Sequence, residues 1–373
     1  MKHFVFSFLV FLSFSSFSQN DAIIFDNLIL KDSSSIPVLF AYPDTVRNAI
    51  LVTSMYPQGF VRLSEVQKKS SNSLKKTISK FNRSKQKQLW EITRYPELTS
   101  LLIANKDGSE KDLNSLLGKY PDKIKKYSRY FLKNNYSTLV EIETIYQEFT
   151  SNYKNIIKDF PENVKTSFNV LLNYPEVLTV LSKDMNTTVA LGDLYKRNPQ
   201  MVKRKSDSLN LVIAKENGIE YNEWKTGISK DTALQKELKQ ISKKYKEDME
   251  EDDVYSTSTK SPDNDLGTDY NQKTIVNVDP YPYWAGYPYW YGSNYWYPYP
   301  WWFNLGFYVP IDGPFMFLGM PSYNFGWWYY NQPRYNYNHP NTSNYFDNHY
   351  QRYRNSNSGF NRSIQESYGG RRR

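Results

Sequence analysis

The stretch Tyr95-Pro96-Glu97-Leu98-Thr99-Ser100-Leu101-Leu102 returns downstream as Tyr174-Pro175-Glu176-Val177-Leu178-Thr179-Val180-Leu181. Both read as helix starts. Proline biases the residue before it towards extended backbone and fits the first helical turn, where its missing N–H loses no partner. The glutamate that follows complements the positive end of the helix. The same device, an aromatic or polar residue, then proline, then usually an acid, recurs. It is found as Tyr42-Pro43-Asp44, Tyr56-Pro57-Gln58, Tyr120-Pro121-Asp122, Phe160-Pro161-Glu162 and Asn198-Pro199-Gln200. Between these corners Leu, Ile, Lys and Glu fall at helical spacing. Residues 36–250 are therefore expected to form an all-α, internally repeated domain of antiparallel, proline-capped helices.

The spacing of the corners points to duplication. The interval from Pro96 to Pro121 matches that from Pro175 to Pro199 once a single deletion is allowed. Within these units Glu97 aligns with Glu176, Leu102 with Leu181, Leu113 with Leu191 and Leu116 with Leu194. Beyond them Ile124-Lys125-Lys126 aligns with Val202-Lys203-Arg204. The intervals Pro43 to Pro57 and Pro161 to Pro175 are equal, which pairs Val46 with Val164 and Arg47 with Lys165. Repeated helical units share a core, because one unit cannot bury its own apolar face. One more helix is expected over Asp231–Tyr245, where Leu234, Leu238, Ile241 and Tyr245 make a single stripe.

The ends of the chain differ in kind. Lys2 and His3, an apolar run from Phe4 to Phe14, and small residues at Ser16 and Ser18 read as a signal peptide over 1–18, removed on export. A short extension, 19–35, follows. After the helical domain, 251–272 reads as an acidic disordered linker, beginning within Glu247-Asp248-Met249-Glu250-Glu251-Asp252-Asp253. Residues 273–330 are crowded with Tyr, Trp and Pro, as in Tyr281-Pro282-Tyr283-Trp284 and Tyr295-Trp296-Tyr297-Pro298-Tyr299-Pro300-Trp301-Trp302. Prolines at this density forbid long helices and central strands, leaving an irregular chain that presents rings. Residues 331–373, rich in Asn, Tyr and Arg, are expected to be disordered.

Composition narrows the chemistry. The chain has 373 residues, a formal charge of +9 and no cysteine, which excludes disulfides, thiol-bound metal and a cysteine-linked lipid anchor. No segment after the leader is apolar for long enough to cross a bilayer. The histidines are His3, His339 and His349, so no His triad or His metal site is available inside the helical domain. No metal, cofactor or catalytic residue is expected. The carboxylates Glu176, Asp184 and Asp193 could pair for acid/base work, but helix capping explains them as well. The basic run Lys68, Lys69, Lys75, Lys76, Lys80, Arg83, Lys85 and Lys87 reads either as an anion-binding face or as a solvated helix surface.

The aromatic tail carries the strongest functional signal. Exposed rings stack on sugars, wedge at a bilayer interface, pair with cations or self-associate; alternatively they bury against the helical domain. The candidate binding surface is Trp284, Trp290, Trp296, Trp301 and Trp302, flanked by Arg352, Arg354 and Arg362. Excess positive charge in an exported protein favours envelope polysaccharide, an anionic lipid surface or an envelope protein as partner, rather than nucleic acid.

Two stretches carry a family likeness. Ile36-Pro37-Val38-Leu39-Phe40-Ala41-Tyr42-Pro43-Asp44 through Ile50-Leu51-Val52-Thr53-Ser54-Met55-Tyr56-Pro57 is one. The other is Tyr174-Pro175-Glu176-Val177-Leu178 with Leu181-Ser182-Lys183-Asp184, Leu191-Gly192-Asp193 and Met201-Val202. In these the chain resembles a Gram-negative envelope family known only as a domain of unknown function, numbered thirty-three hundred. The resemblance implies an exported helical domain with a Tyr/Pro/Trp-rich tail, and the leader places the protein in the periplasm, at the outer membrane or outside the cell. It implies no activity and no cofactor. The expected function is thus a non-enzymatic envelope protein with a helical scaffold and a binding tail. The alternatives are a glycan-acting envelope enzyme that uses carboxylates, and a self-assembling or adhesive matrix protein.

Overall fold

A computed structural model of the chain describes residues 20–29, 39–251, 282–286, 337–345 and 348. The leader at 1–18 and the linker from 252 onwards lie outside the described residues. Those described are all-α, with no strand among them. The main body runs α1 (Asp44–Ser54), α2 (Pro57–Ile78), α3 (Arg83–Thr93), α4 (Pro96–Ala104), α5 (Glu110–Leu117) and α6 (Asp122–Asn134). It continues through α7 (Tyr136–Ile157), α8 (Glu162–Leu171), α9 (Pro175–Lys183), α10 (Met185–Arg197), α11 (Pro199–Lys230) and α12 (Thr232–Glu251). Among the described residues no helix is long and apolar enough to cross a membrane.

The prolines work in two ways. Pro57, Pro96, Pro175 and Pro199 sit in the first helical turn, after Tyr56, Tyr95, Tyr174 and Asn198 at the cap. Pro43, Pro121 and Pro161 are themselves the cap residues, with φ near −55° and ψ between 151° and 157°. Proline's fixed φ suits that extended cap geometry. Its carbonyl accepts the first helical N–H groups, from Val46 and Arg47 at Pro43, Lys125 at Pro121 and Lys165 at Pro161. It has no side chain to cap with, so Asp44, Asp122 and Glu162 in the first turn supply the negative charge.

The helices form two tandem repeats, in a register that differs from the one the corner spacing favoured. Pro43, Pro121 and Pro199 are evenly spaced along the chain, and each opens a unit. α1–α5 is one five-helix repeat, α6–α10 the second, and α11 begins a third. Val46 matches Ile124 and Val202, not Val164, and all three are buried. The longest helices of the two repeats, α2 and α7, have 22 residues each. With a single insertion allowed between the repeats, their buried positions coincide: Phe60 with Leu139, Leu63 with Ile142, Leu74 with Tyr153, Ile78 with Ile157. The equal corner intervals misled because Pro161 caps α8, whose counterpart α3 begins at Asn82 without a proline; the Asn82 side chain accepts from Lys85 N instead.

Packing between the repeats is reciprocal. α2 lies on α7, α1 on α8 as α6 on α3, and α4 on α7 as α9 on α2. This is the pattern of an isologous pair, with α2 and α7 beside the pseudo-two-fold axis. The corners cross in the same way. The Tyr42 ring meets Tyr174 at 5.4 Å and 83°, and Tyr95 meets Tyr120 at 5.3 Å and 85°. Tyr42 Oη donates to Glu176 at 2.7 Å, and Tyr120 Oη donates to Glu97 at 2.9 Å. A third pair, Tyr56 with Phe160, keeps the ring contact, but Phe160 has no hydroxyl and Gln58 stands where the other corners have glutamate.

Two close approaches fix the helices. A Cβ on Gly192 of α10 would stand 2.0 Å from the Ser54 carbonyl oxygen of α1, and one on Gly59 of α2 would stand 2.6 Å from the Phe168 ring of α8. Arg47 ties the start of α1 to α11, donating to Tyr42 O at 2.8 Å and to Asp207 Oδ1 at 2.6 Å. The helical residues 20–29 join the core through Phe25 and Ile29, and Lys205 of α11 bonds Asp26 at 2.8 Å. The expected stripe on α12 is buried at Leu234, Leu238 and Ile241.

Candidate functional site

The apolar stripes of the two central helices part in one place. Where α7 carries Tyr146, Phe149 and Thr150, α2 carries Gln67, Ser70 and Ser71 at the equivalent positions. Ser70 and Ser71 are buried although small and polar. They leave a slot beside the pseudo-axis, and a short piece of the aromatic segment, Pro282-Tyr283-Trp284-Ala285-Gly286, fills it as a tight turn.

The turn closes on itself and on the groove. Ala285 N donates to Pro282 O at 3.0 Å, and Gly286 N donates to Tyr283 O at 3.2 Å. The Ser70 hydroxyl donates to Trp284 O at 2.6 Å. The Trp284 ring lies 5.5 Å from that of Tyr146, and Tyr283 lies 6.5 Å from Phe149, both within the range of favourable aromatic pairs. Burial pushes the Tyr283 hydroxyl up to about 12, offset in part by a side-chain hydrogen bond with Ser182 of α9. Gly286 takes φ +68°, and a Cβ there would come within 2.5 Å of Ser71 Oγ and 2.8 Å of Gln67 Nε2. Only glycine satisfies both demands.

Trp284 therefore leaves the candidate surface of exposed rings: 3 % of it is accessible, and it belongs to the main core with Tyr283 and Ala285. The cause is local. A single tight turn needs no regular layer when a helix offers a slot. Burial of each ring contributes about 1.5–3 kcal/mol. The indole Nε1 meets no acceptor among the described residues, which offsets about 1–3 kcal/mol of that gain. Trp290, Trp296, Trp301, Trp302, Arg352, Arg354 and Arg362 lie outside the described residues.

The tail touches the helical body a second time. Expected disorder over 331–373 gives way at 337–345, where residues 340–345 are helical. The Glu237 carboxylate of α12 accepts from Thr342 N at 2.8 Å, Thr342 Oγ1 at 3.0 Å and Asn341 Nδ2 at 2.7 Å. An anion thus meets the first amides of the helix, where the backbone has free donors. Thr342 and His339 are buried.

The other candidates have structural roles. Asp184 caps α10, accepting from Thr187 N at 3.1 Å, and Asp193 is exposed. Burial holds the Glu176 carboxyl above its usual range, and the Tyr42 bond moderates that effect. Among the described residues no three of His, Cys, Asp and Glu gather to hold a metal. Lys68, Lys69, Lys75 and Lys76 lie exposed along α2, whereas Lys80 pairs with Glu141 at 3.3 Å and Lys85 lies 4.7 Å from the Tyr130 ring centroid. The groove residues Gln67, Ser70, Ser71, Tyr146, Phe149 and Ser182 had no motif to single them out. The signal was Gln67 and Ser70 interrupting an apolar stripe that the sister helix continues through Tyr146 and Phe149.

No protein-family model matches the chain, and no curated protein or solved structure is detectably similar to it. The envelope-family likeness rests on its two motifs alone.

Proposed function

We propose that this is a non-enzymatic exported envelope protein in which the helical domain holds an aromatic, basic segment for binding envelope polymer, a membrane surface or a protein partner. One observation carries the reading. The tail is seated on the helical domain at 282–286 and again at 337–345, so residues 287–336 run between two fixed points. That stretch contains Trp290, Trp296, Trp301, Trp302, Trp327 and Trp328. A segment held at both ends has less chain entropy to lose when its rings meet a ligand. Arg352, Arg354 and Arg362 follow the second point and add attraction to anionic polymer or lipid, which salt weakens.

Sedimentation of the exported protein with isolated envelope material tests the reading. Replacing Trp290, Trp296, Trp301 and Trp302 by alanine should abolish sedimentation at every salt concentration and leave the thermal melt unchanged. Replacing the three arginines should weaken it at low salt only. Normal sedimentation of the tryptophan-depleted protein would overturn the proposal.

A further inference from the structure

The docked turn is the first of two near-copies. Tyr281-Pro282-Tyr283-Trp284-Ala285-Gly286 is followed at once by Tyr287-Pro288-Tyr289-Trp290-Tyr291-Gly292. The copies differ at one position, Ala285 against Tyr291. Each offers the same proline, the same ring pair and the same terminal glycine, so the Trp, Tyr and Gly contacts of the groove cannot tell them apart. Linker length barely distinguishes them, since a tether of about 30 residues lengthened by about a fifth changes the effective concentration by only about a quarter.

We infer that the groove of α2, α7 and α9 is a recognition site for a Tyr-Trp-small-Gly turn, and that Ala285 is the residue that selects the first copy over the second. Ala285 is wholly inaccessible, at 0 % exposure. On one side of it Trp284 O accepts from the Ser70 hydroxyl at 2.6 Å, and on the other Gly286 has no room for a Cβ beside Ser71 and Gln67, so the turn is held close to α2. A tyrosine side chain has no space there, because close-packed interiors do not absorb an added ring. The groove is thus occupied by 282–286, and the hexapeptide at 287–292 is left to the segment beyond. This selection holds whatever the tail binds, so its failure and that of the proposed envelope binding are separable.

The test swaps the discriminating residue in the full chain and follows amide hydrogen exchange by mass spectrometry. In the wild type the amides of residues 285 and 286, bonded within the turn, should exchange roughly tenfold or more slowly than free peptide. Ala285→Tyr should remove that protection without moving it elsewhere. Ala285→Tyr with Tyr291→Ala should restore it in the second copy, at 291 and 292. Tyr291→Ala alone, which leaves the seated turn untouched, should divide protection nearly evenly between the copies. Three results would each overturn the inference: protection kept at 285 and 286 in Ala285→Tyr, protection moving onto 291 and 292 in that single variant, or protection confined to the first copy in Tyr291→Ala.

Discussion

The two repeats share one plan and part company where they face each other. α7 completes its stripe with Tyr146 and Phe149, and α2 breaks the same stripe with Gln67 and Ser70. Two identical faces would have closed on themselves. The broken one leaves room for a turn delivered from far along the chain, and its serine hydroxyl and the sister helix's rings hold that turn in place. The corners diverge more mildly. Burial raises the Glu176 carboxyl opposite Tyr42, whereas Glu97, opposite Tyr120, is exposed and has Lys119 Nζ at 3.7 Å. A duplicated scaffold thus keeps its shape through the shared positions and acquires a site through the unshared ones.

The largest effect should come from emptying the slot. Trp284→Ala should cost about 3–5 kcal/mol in chemical denaturation, and Trp284→Phe much less, because it also removes the buried unpaired indole N–H. Making the repeats alike is the next step. Ser70→Phe copies Phe149 into α2, fills the slot and should lower stability by about 1–3 kcal/mol, with loss of the near-ultraviolet circular dichroism of the seated rings. Equal stability with an unchanged spectrum would mean that the turn does not need the serine. Gly192→Ala probes a shared crossing, and with a Cβ 2.0 Å from a backbone oxygen it should cost a comparable amount, about 1–3 kcal/mol.

The corners should give unequal effects. Tyr42→Phe leaves the Glu176 carboxyl without its hydroxyl partner and should cost about 1.5–3 kcal/mol, and Tyr120→Phe, at a wetter corner, about 0.5–1 kcal/mol. Equal costs would remove the asymmetry. The smallest effect is one of pH. Because the folded-state pKa of Glu176 is raised, the folded chain holds that proton more tightly than the unfolded chain. Its contribution is complete below the ordinary value of 4.5 and is lost as pH rises through the folded value. Glu176→Gln should therefore lose less stability than the wild type as pH rises above 4.5. Parallel pH profiles would contradict this assignment.

Much of the fold was legible in the sequence. Proline followed by an acid marks helix starts by local physics alone, and the leucine stripe on α12 needs no partner to be read. The repeat register was harder. Tyr42-Pro43-Asp44 and Tyr120-Pro121-Asp122 are the equivalent corners, but Pro161 offers an equally good local match to Pro43, and only the packing of α1 on α8 and α6 on α3 separates matching positions from contacting ones. The site was hidden for a further reason. The break at Gln67 and Ser70 shows only once α2 is set against α7 in the right register, and Trp284 looks like its neighbours because the residue that fits it to the groove is the alanine beside it.

A pair of spin labels tests the central claim, that the aromatic tail starts from the groove beside the pseudo-axis. The chain has no cysteine, so Lys68→Cys and Tyr287→Cys would carry the only labels. Lys68 adjoins Gln67, and residue 287 is one Cα step of about 3.8 Å beyond Gly286, which lies against Gln67. A narrow distance distribution, centred below about 20 Å once label arms are added to that step, is the result the account predicts. A broad distribution centred at about 30 Å or more, as for a free tether of about 36 residues, would contradict it.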